Sequence, residues 1–267
     1  MVSYLTKSNI LDKFQLGFRK HHSTQSALIK LKDDIRMGNE RQLATILLQF
    51  DFSKAFDNVS PSILLGKLRD AGFSKLTLRW FWSYLCGRSV CVASAKSVSD
   101  YRNINIGVPQ GSVLGPLLFC IYMNDIRDFL DVNTSRLLYA DDLQIYVQVP
   151  TNQIQQGILR LSESAKAIAV WAESNRLKLN TSQTQAIIFG SPNTTKLFDG
   201  LNIGKIIVNH NGDCVSFVNE VKSLGIILDR SLSWQSQIKN IIRRLIEHYT
   251  GSELLNRVHL KPYVSVW

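Results

Sequence analysis

The chain has 267 residues, 45% of them hydrophobic, which is enough to bury a sizeable core and too apolar for a disordered or fibrous protein. Lysine and arginine outnumber aspartate and glutamate by 31 to 21, and the net charge of +10 suggests a polyanionic partner such as nucleic acid, the plainer alternative being a generally basic soluble protein. No apolar run reaches the ~20 residues of a membrane span and no signal-peptide pattern follows Met1, so the chain reads as intracellular.

In chain order, HSTQSALIKLKDDI (22 to 35) carries Ala27, Leu28, Leu31 and Ile35 on one helical stripe after a serine or threonine cap. Its neighbouring His21–His22 pair lacks further ligands at metal spacing and is expected at the surface or facing phosphate. LATILLQFDF (43 to 52) is a near-continuous apolar run, the pattern of a strand buried on both faces, and it breaks on Asp51. SPSILLGKLRDAG then supplies Ser60 as N-cap, Pro61 at the first helical position and Gly72 as a stop. Asp51 therefore stands where a buried strand runs out before a helix. A carboxylate in an apolar run is costly unless paired or metal-bound, whereas Asp57 and Asn58 suit a capping role.

In LRWFWSYLCGRSV, Trp80, Phe81, Trp82 and Tyr84 are able to stack on bases, but without alternating basic residues they read as core. INIGVPQGSVLGPLLFCIYMNDI (104 to 126) predicts a strand end, a loop punctuated by Gly107, Gly111 and Gly115, and an apolar helix from near Pro116. Those glycines serve close approach to a ligand or a tight turn equally well, and no phosphate-binding P-loop is present. In LLYADDLQIYVQV (137 to 149), Leu143, Ile145, Val147 and Val149 alternate with Gln144, Tyr146 and Gln148, predicting a strand with one buried face. RLLY supplies its partner, so Asp141 and Asp142 fall at a hairpin tip. Aspartates in a turn are ordinarily turn formers. Two ionised carboxylates ~4 Å apart nevertheless repel by about 4 kcal/mol at an effective dielectric near 20, which calls for a proton, an arginine or a divalent cation.

The helix over 151 to 175 shows Ile154, Ile158, Leu161, Ile168 and Trp171 as an apolar stripe for packing under a sheet. Cys86, Cys91, Cys120 and Cys214 form no CxxC pair and lie in apolar surroundings, so they are expected as free buried thiols in a reducing compartment.

FDFSKAFDNV, GVPQGSVLGP and YADD follow one another, with Asp51 and Asp141 90 positions apart, so a three-carboxylate site requires the tertiary fold. With QLGFRKHHST (15 to 24), LKLNTSQTQAIIFG (177 to 190) and VKSLGIILDRSLSW (221 to 234), the chain resembles the reverse transcriptase domain of a non-LTR retrotransposon related to insect jockey-like elements. The resemblance implies an α/β (α+β) right-hand polymerase with a palm of antiparallel sheet backed by helices. Partial fingers would take 1 to 43 and 67 to 106, the palm 44 to 66 and 107 to 235, and the start of a helical thumb 236 to 267.

It implies further that Asp51, Asp141 and Asp142 are catalytic and, with the Phe52 carbonyl, hold two Mg²⁺ ions, Mn²⁺ being an alternative. Phe56 matches the aromatic that excludes a 2′-hydroxyl, Gln110 and Gly111 the turn touching nucleotide and template, and Tyr139 a side chain near the primer end. The implied activity is RNA-directed DNA synthesis from dNTPs, on an RNA template, from a DNA primer or nicked target DNA. The implied locations are a cytoplasmic ribonucleoprotein and the nucleus at the site of integration. An RNA-templated RNA polymerase and an inactive nucleic-acid-binding remnant are the alternatives. Gln183 stands where relatives carry lysine, and a glutamine cannot be a general acid. The chain reads as a fragment or decayed copy of a longer polyprotein.

Overall fold

The computed structural model describes residues 1–94, 96–199 and 203–250; the part of the expected thumb beyond residue 250 lies outside them. The chain opens with α1 (Val2–Lys7) and α2 (Thr24–Glu40), the latter begun by a capping box in which the Ser23 and Ser26 hydroxyls and amides bond reciprocally. The strands β1 (Leu43–Phe50) and β2 (Phe52–Ser53) lead to α3 (Pro61–Asp70) and α4 (Lys75–Leu85), then to the small hairpin β3 (Arg88–Val90) and β4 (Arg102–Ile104). After α5 (Gly115–Tyr122) come β5 (Ser135–Tyr139), β6 (Asp142–Pro150) and the long α6 (Ile154–Ser174). The remainder comprises β7 (Lys178–Leu179), β8 (Gln185–Phe189), α7 (Pro192–Asp199), β9 (Ile206–Ile207), β10 (Cys214–Val215), β11 (Glu220–Ser223), β12 (Ile226–Asp229) and α8 (Gln235–Thr250).

The central sheet has the order β5-β6-β1-β8, with β1 antiparallel to both neighbours. On one face lies the main core, where α6 contributes Ile158, Leu161, Ile168 and the fully buried Trp171, as its apolar stripe predicts. That helix begins at Ile154 rather than at 151, because residues Thr151–Gln153 form a 3-10 turn. Ser60 precedes α3 as expected, but its hydroxyl pairs with that of Ser62 instead of capping the helix.

β6 departs from its predicted single buried face. Gln144 and Tyr146 are as buried as the alternating apolar residues, since α2 and the β11–β12 hairpin cover the second face. Most polar groups there are paired internally: Gln144 donates to the Gln49 and Ser223 side chains, although its Oε1 finds no partner among the described residues, the Tyr146 hydroxyl bonds Asp34, and Gln148 donates to the Asp34 carbonyl and the Thr45 hydroxyl. Alternation registers polarity rather than exposure, and hydrogen-bonded polar groups can be buried at little cost.

Two further expectations are corrected. Only Cys120 is fully buried, its thiol pushed up to about 12 by burial, while Cys86 and Cys91 are half-buried and Cys214 is exposed on the short β9–β10 ribbon. Trp80 and Trp82 are not core: only Phe81 of that run is buried, because the outer side of α4 has no element against it among the described residues. No helix is long and apolar enough to cross a membrane among the described residues.

Candidate active site

The register of the central sheet brings the aspartates to one edge. Phe50 of β1 lies opposite Leu143 of β6, so the next step along both strands sets Asp51 beside Asp142. Asp142 in turn faces Tyr139 across the β5–β6 hairpin, whose two-residue connection is Ala140–Asp141. Ala140 has φ +60, the sign a type II′ turn requires at its first central residue, where glycine is usual.

The strained turn is held from outside by QLG, residues 15 to 17. The Leu16 amide donates to the Leu138 carbonyl of β5 and the Leu138 amide donates to the Phe14 carbonyl, a short parallel bridge between Gln15 and Leu138. The buried Gln15 side chain accepts from the Gly17 and Ala140 amides and donates to the Ala140 carbonyl. At Gly17 a Cβ would fall 2.3 Å from the Ala140 nitrogen, so only glycine allows this approach. Sequence reasoning missed both residues as site components; a buried glutamine two residues before a glycine carries no chemical signature until its partner loop is known.

Asp51 is held from the opposite side. Asn180 donates through Nδ2 to Asp51 Oδ2 at 2.9 Å, and its amide donates to the Asp51 carbonyl at 2.8 Å. The same Nδ2 also reaches Gln183 Oε1 at 2.5 Å, so Gln183 is tied indirectly to the first carboxylate. Pairing of β2 with β7 brings these residues together: Phe52 lies opposite Leu179, one residue before Asn180. The Phe52 ring is buried, stacked on Phe50 and edge-on to Trp171, which leaves only its backbone for the edge of the site.

Burial raises the carboxyl group of Asp141, helped by the charge of Asp51. Asp142 is pushed up to about 6, first by burial and then by the charges of Asp141 and Asp51. The three groups therefore form one electrostatic unit, and none of them has an ion-pair partner among the described residues. As placed, no three His, Cys, Asp or Glu among the described residues are close enough to chelate one ion. The donor set still fits a divalent cation chemically, since partly buried carboxylates without a counter-charge are the hard oxygen ligands that Mg²⁺ takes.

Around this edge the other expected residues are distributed as follows. Phe56 is half-buried, stacked on Phe119 with centroids 4.1 Å apart and edge-on to the exposed Phe18. Its carbonyl accepts from Val108, joining the Asp51 segment to the GVPQG loop. Gln110 is exposed and donates to Asp57 Oδ1 at 2.6 Å, so Asp57, read from sequence as a cap, orients the loop's amide side chain. Gly107 and Gly111 have φ +78 and +75, as a turn favouring glycine requires, and the space beside Gly111 is open; at Gly115 a Cβ would meet the Pro109 carbonyl at 2.9 Å. Tyr139 is half-buried beside Leu16 and Leu137. His21 and His22 are exposed.

An antiparallel sheet with helices on its faces and a carboxylate edge at a hairpin turn is the arrangement of a polymerase palm, and comparison with solved structures agrees. The chain is similar to apo telomerase of Candida tropicalis truncated from its C-terminal domain, with TM-score 0.55 and 11% identity over 87% of this chain and 42% of that one. It is also similar to Candida albicans telomerase solved with a fragment of telomeric RNA, with TM-score 0.53 and 15% identity over 93% of this chain and 42% of that one. At these identities the likeness concerns the right-hand polymerase fold. The chain belongs to the reverse transcriptase (RNA-dependent DNA polymerase) family, whose model matches residues 1–228. Divalent metals are general to that family.

Among curated relatives, the RNA-directed DNA polymerase from mobile element jockey of Drosophila funebris is 28% identical over 86% of this chain and 25% of its own length. The probable RNA-directed DNA polymerase from transposon X-element of Drosophila melanogaster is 29% identical over 100% of this chain and 29% of its own. The chain thus spans between a quarter and a third of these relatives.

Proposed function

We propose that this chain is the catalytic core of an RNA-directed DNA polymerase of a non-LTR retrotransposon, extending a DNA primer or a nicked target strand with dNTPs on an RNA template. The observation that carries the reading is the placement of Asp51, Asp141 and Asp142 at one end of the β6–β1 pair, electrostatically coupled to one another and with no basic side chain paired to them among the described residues. The partial fingers, palm and thumb start keep the bounds given above, and the protein would act in a cytoplasmic ribonucleoprotein and in the nucleus.

Asp51, Asp141, Asp142 and the Phe52 carbonyl would hold two Mg²⁺ ions, with Mn²⁺ as substitute. Two such ions would supply Lewis-acid activation of the primer 3′-hydroxyl and positive charge against the triphosphate. The protein's own contribution is positional: Asn180 fixes the Asp51 carboxylate, Gln15 and Gly17 fix the turn bearing Asp141, and Asp57 steers Gln110 toward the nucleotide. Phe56, backed by Phe119, would close the floor under the incoming sugar, Gly111 would lie with Gln110 against the nucleotide and template, and Tyr139 would stand near the primer end.

The test is primer extension on an RNA template with Mg²⁺, supplied with dNTPs or rNTPs. Incorporation of dNTPs that disappears in Asp51→Asn and Asp141→Asn is the expected result; incorporation of rNTPs alone would favour an RNA polymerase. Phe56→Val should admit ribonucleotides, and unchanged sugar preference would remove Phe56 from the gate. The alternative of an inactive nucleic-acid-binding remnant is favoured by Gln183, at the position where the resemblance leads one to expect lysine, and would show as binding without extension.

A further inference from the structure

α4 turns Phe81 and Leu85 into the core and leaves Leu76, Trp80 and Trp82 at 78%, 54% and 53% exposure. A helix normally hides such residues, since each exposed aromatic forfeits much of its burial energy. Trp80 and Tyr84, one helical turn apart, are stacked with centroids 5.5 Å apart and planes 7° from parallel, and because the half-buried Tyr84 packs against the main core, the exposed Trp80 ring is held in order.

Between Asp70 and Asp100 the charges in the sequence have one sign. From Ala71 through Ser99 the sequence holds Lys75, Arg79, Arg88 and Lys96 and no aspartate or glutamate. Lys75 and Arg79 are exposed on α4 itself, and neither forms an ion pair among the described residues. Arg88 is employed differently: its guanidinium donates to the carbonyls of Leu85, Ile106 and Gly107, tying the end of α4 to the loop that carries Gln110. The C-terminal end of α4 is thereby fixed to the GVPQG loop of the candidate active site.

We propose that the outer face of α4, with Trp80 stacked on Tyr84 and flanked by Lys75 and Arg79, is a stacking platform for single-stranded nucleic acid. Its occupant is the unpaired template strand beyond the active site, an assignment that rests on the proposed polymerase function. Bases supply π faces to the aromatic pair, and phosphates supply the negative charge that Lys75 and Arg79 lack within the protein. A protein partner would use the aromatic surface but would leave the absence of acidic residues without a purpose.

The experiment uses the whole chain and two labelled probes followed by fluorescence anisotropy, a single-stranded RNA of about 20 nucleotides and a blunt duplex of the same sequence. Trp80→Ala should weaken the single strand on the order of 10-fold, as expected for one lost stacking contact, and leave the blunt duplex unchanged. Trp80→Phe should restore most of the affinity, and the single strand should quench the wild type's tryptophan emission more than that of Trp80→Phe. Lys75→Gln with Arg79→Gln should flatten the salt dependence for the single strand. Unchanged single-strand affinity in Trp80→Ala, or equal quenching in wild type and Trp80→Phe, would overturn the proposal. So would a wild-type dimer that Trp80→Ala dissociates without altering RNA affinity. Intact single-strand binding with no primer extension would instead remove the polymerase reading and leave the platform standing.

Discussion

Asn180 holds Asp51 twice, through its side chain to Oδ2 and through its amide to the carbonyl, while reaching Gln183 with the same Nδ2. A carboxylate beside two others would otherwise turn toward solvent, so Asn180 serves as a positioning residue. Asn180→Ala should lower the extension rate by about 10-fold, the scale of one lost charge-assisted hydrogen bond. Because the carboxylate itself survives, raised Mg²⁺ should recover part of the loss. Single-turnover extension across a Mg²⁺ titration checks this, and an unchanged rate at every concentration would refute it.

Asp142 offers a stability test. Its carboxyl group titrates at about 6 in the folded chain, above the usual carboxylate range, because burial and two like charges favour the protonated form. Between the unfolded value and about 6 the folded state holds more protons, so this group's contribution to stability falls as pH rises through that window. Asp142→Asn should therefore match the wild type near pH 4 and exceed it at neutral pH, by on the order of 1 kcal/mol or about 2 to 4 °C in melting temperature. Added Mg²⁺ should raise the wild-type melting temperature and shrink the difference, since a ligand that binds only the folded state stabilises it. A pH-independent difference in thermal scans would show that the charge is not the cause.

Gly17→Ala tests the cradle of the turn. The new methyl would meet the Ala140 backbone nitrogen, which cannot rotate away as a side chain can. The expected cost is about 1 to 3 kcal/mol, with a loss of extension rate beyond that of the milder Gln15→Asn variant. Thermal melts and extension rates on the two variants measure it; a Gly17→Ala protein of wild-type stability and rate would show that the loop yields freely.

Gln183→Lys should raise the rate of nucleotide addition. A lysine there supplies a proton donor for departing pyrophosphate, and general acids contribute roughly 10²- to 10⁴-fold to a proton-transfer step. It would also free Asn180 Nδ2 from Gln183 Oε1 and leave it to Asp51 alone. Pre-steady-state incorporation across pH distinguishes the two effects, because only an added acid introduces a new basic-limb dependence. No change in rate or pH profile would place the acid elsewhere.

Local patterning was enough to find β1, α2, α6 and the β5–β6 hairpin, because each buries an apolar stripe whose period is written in consecutive residues. The same patterning isolated Asp51 as a charge ending an apolar run and Asp141 and Asp142 as adjacent like charges. What brought them together was strand register, a relation between residues 90 apart that no local period encodes. The supports were equally illegible: Asn180 reaches Asp51 only because β2 pairs with β7, and Gln15 reaches Ala140 only because its segment adds to the β5 edge. The exposure of Trp80 and the burial of Gln144 and Tyr146 reversed the local expectation for one reason. Burial depends on which other element arrives at a face, and neither hydrophobicity nor alternation within a segment records that arrival.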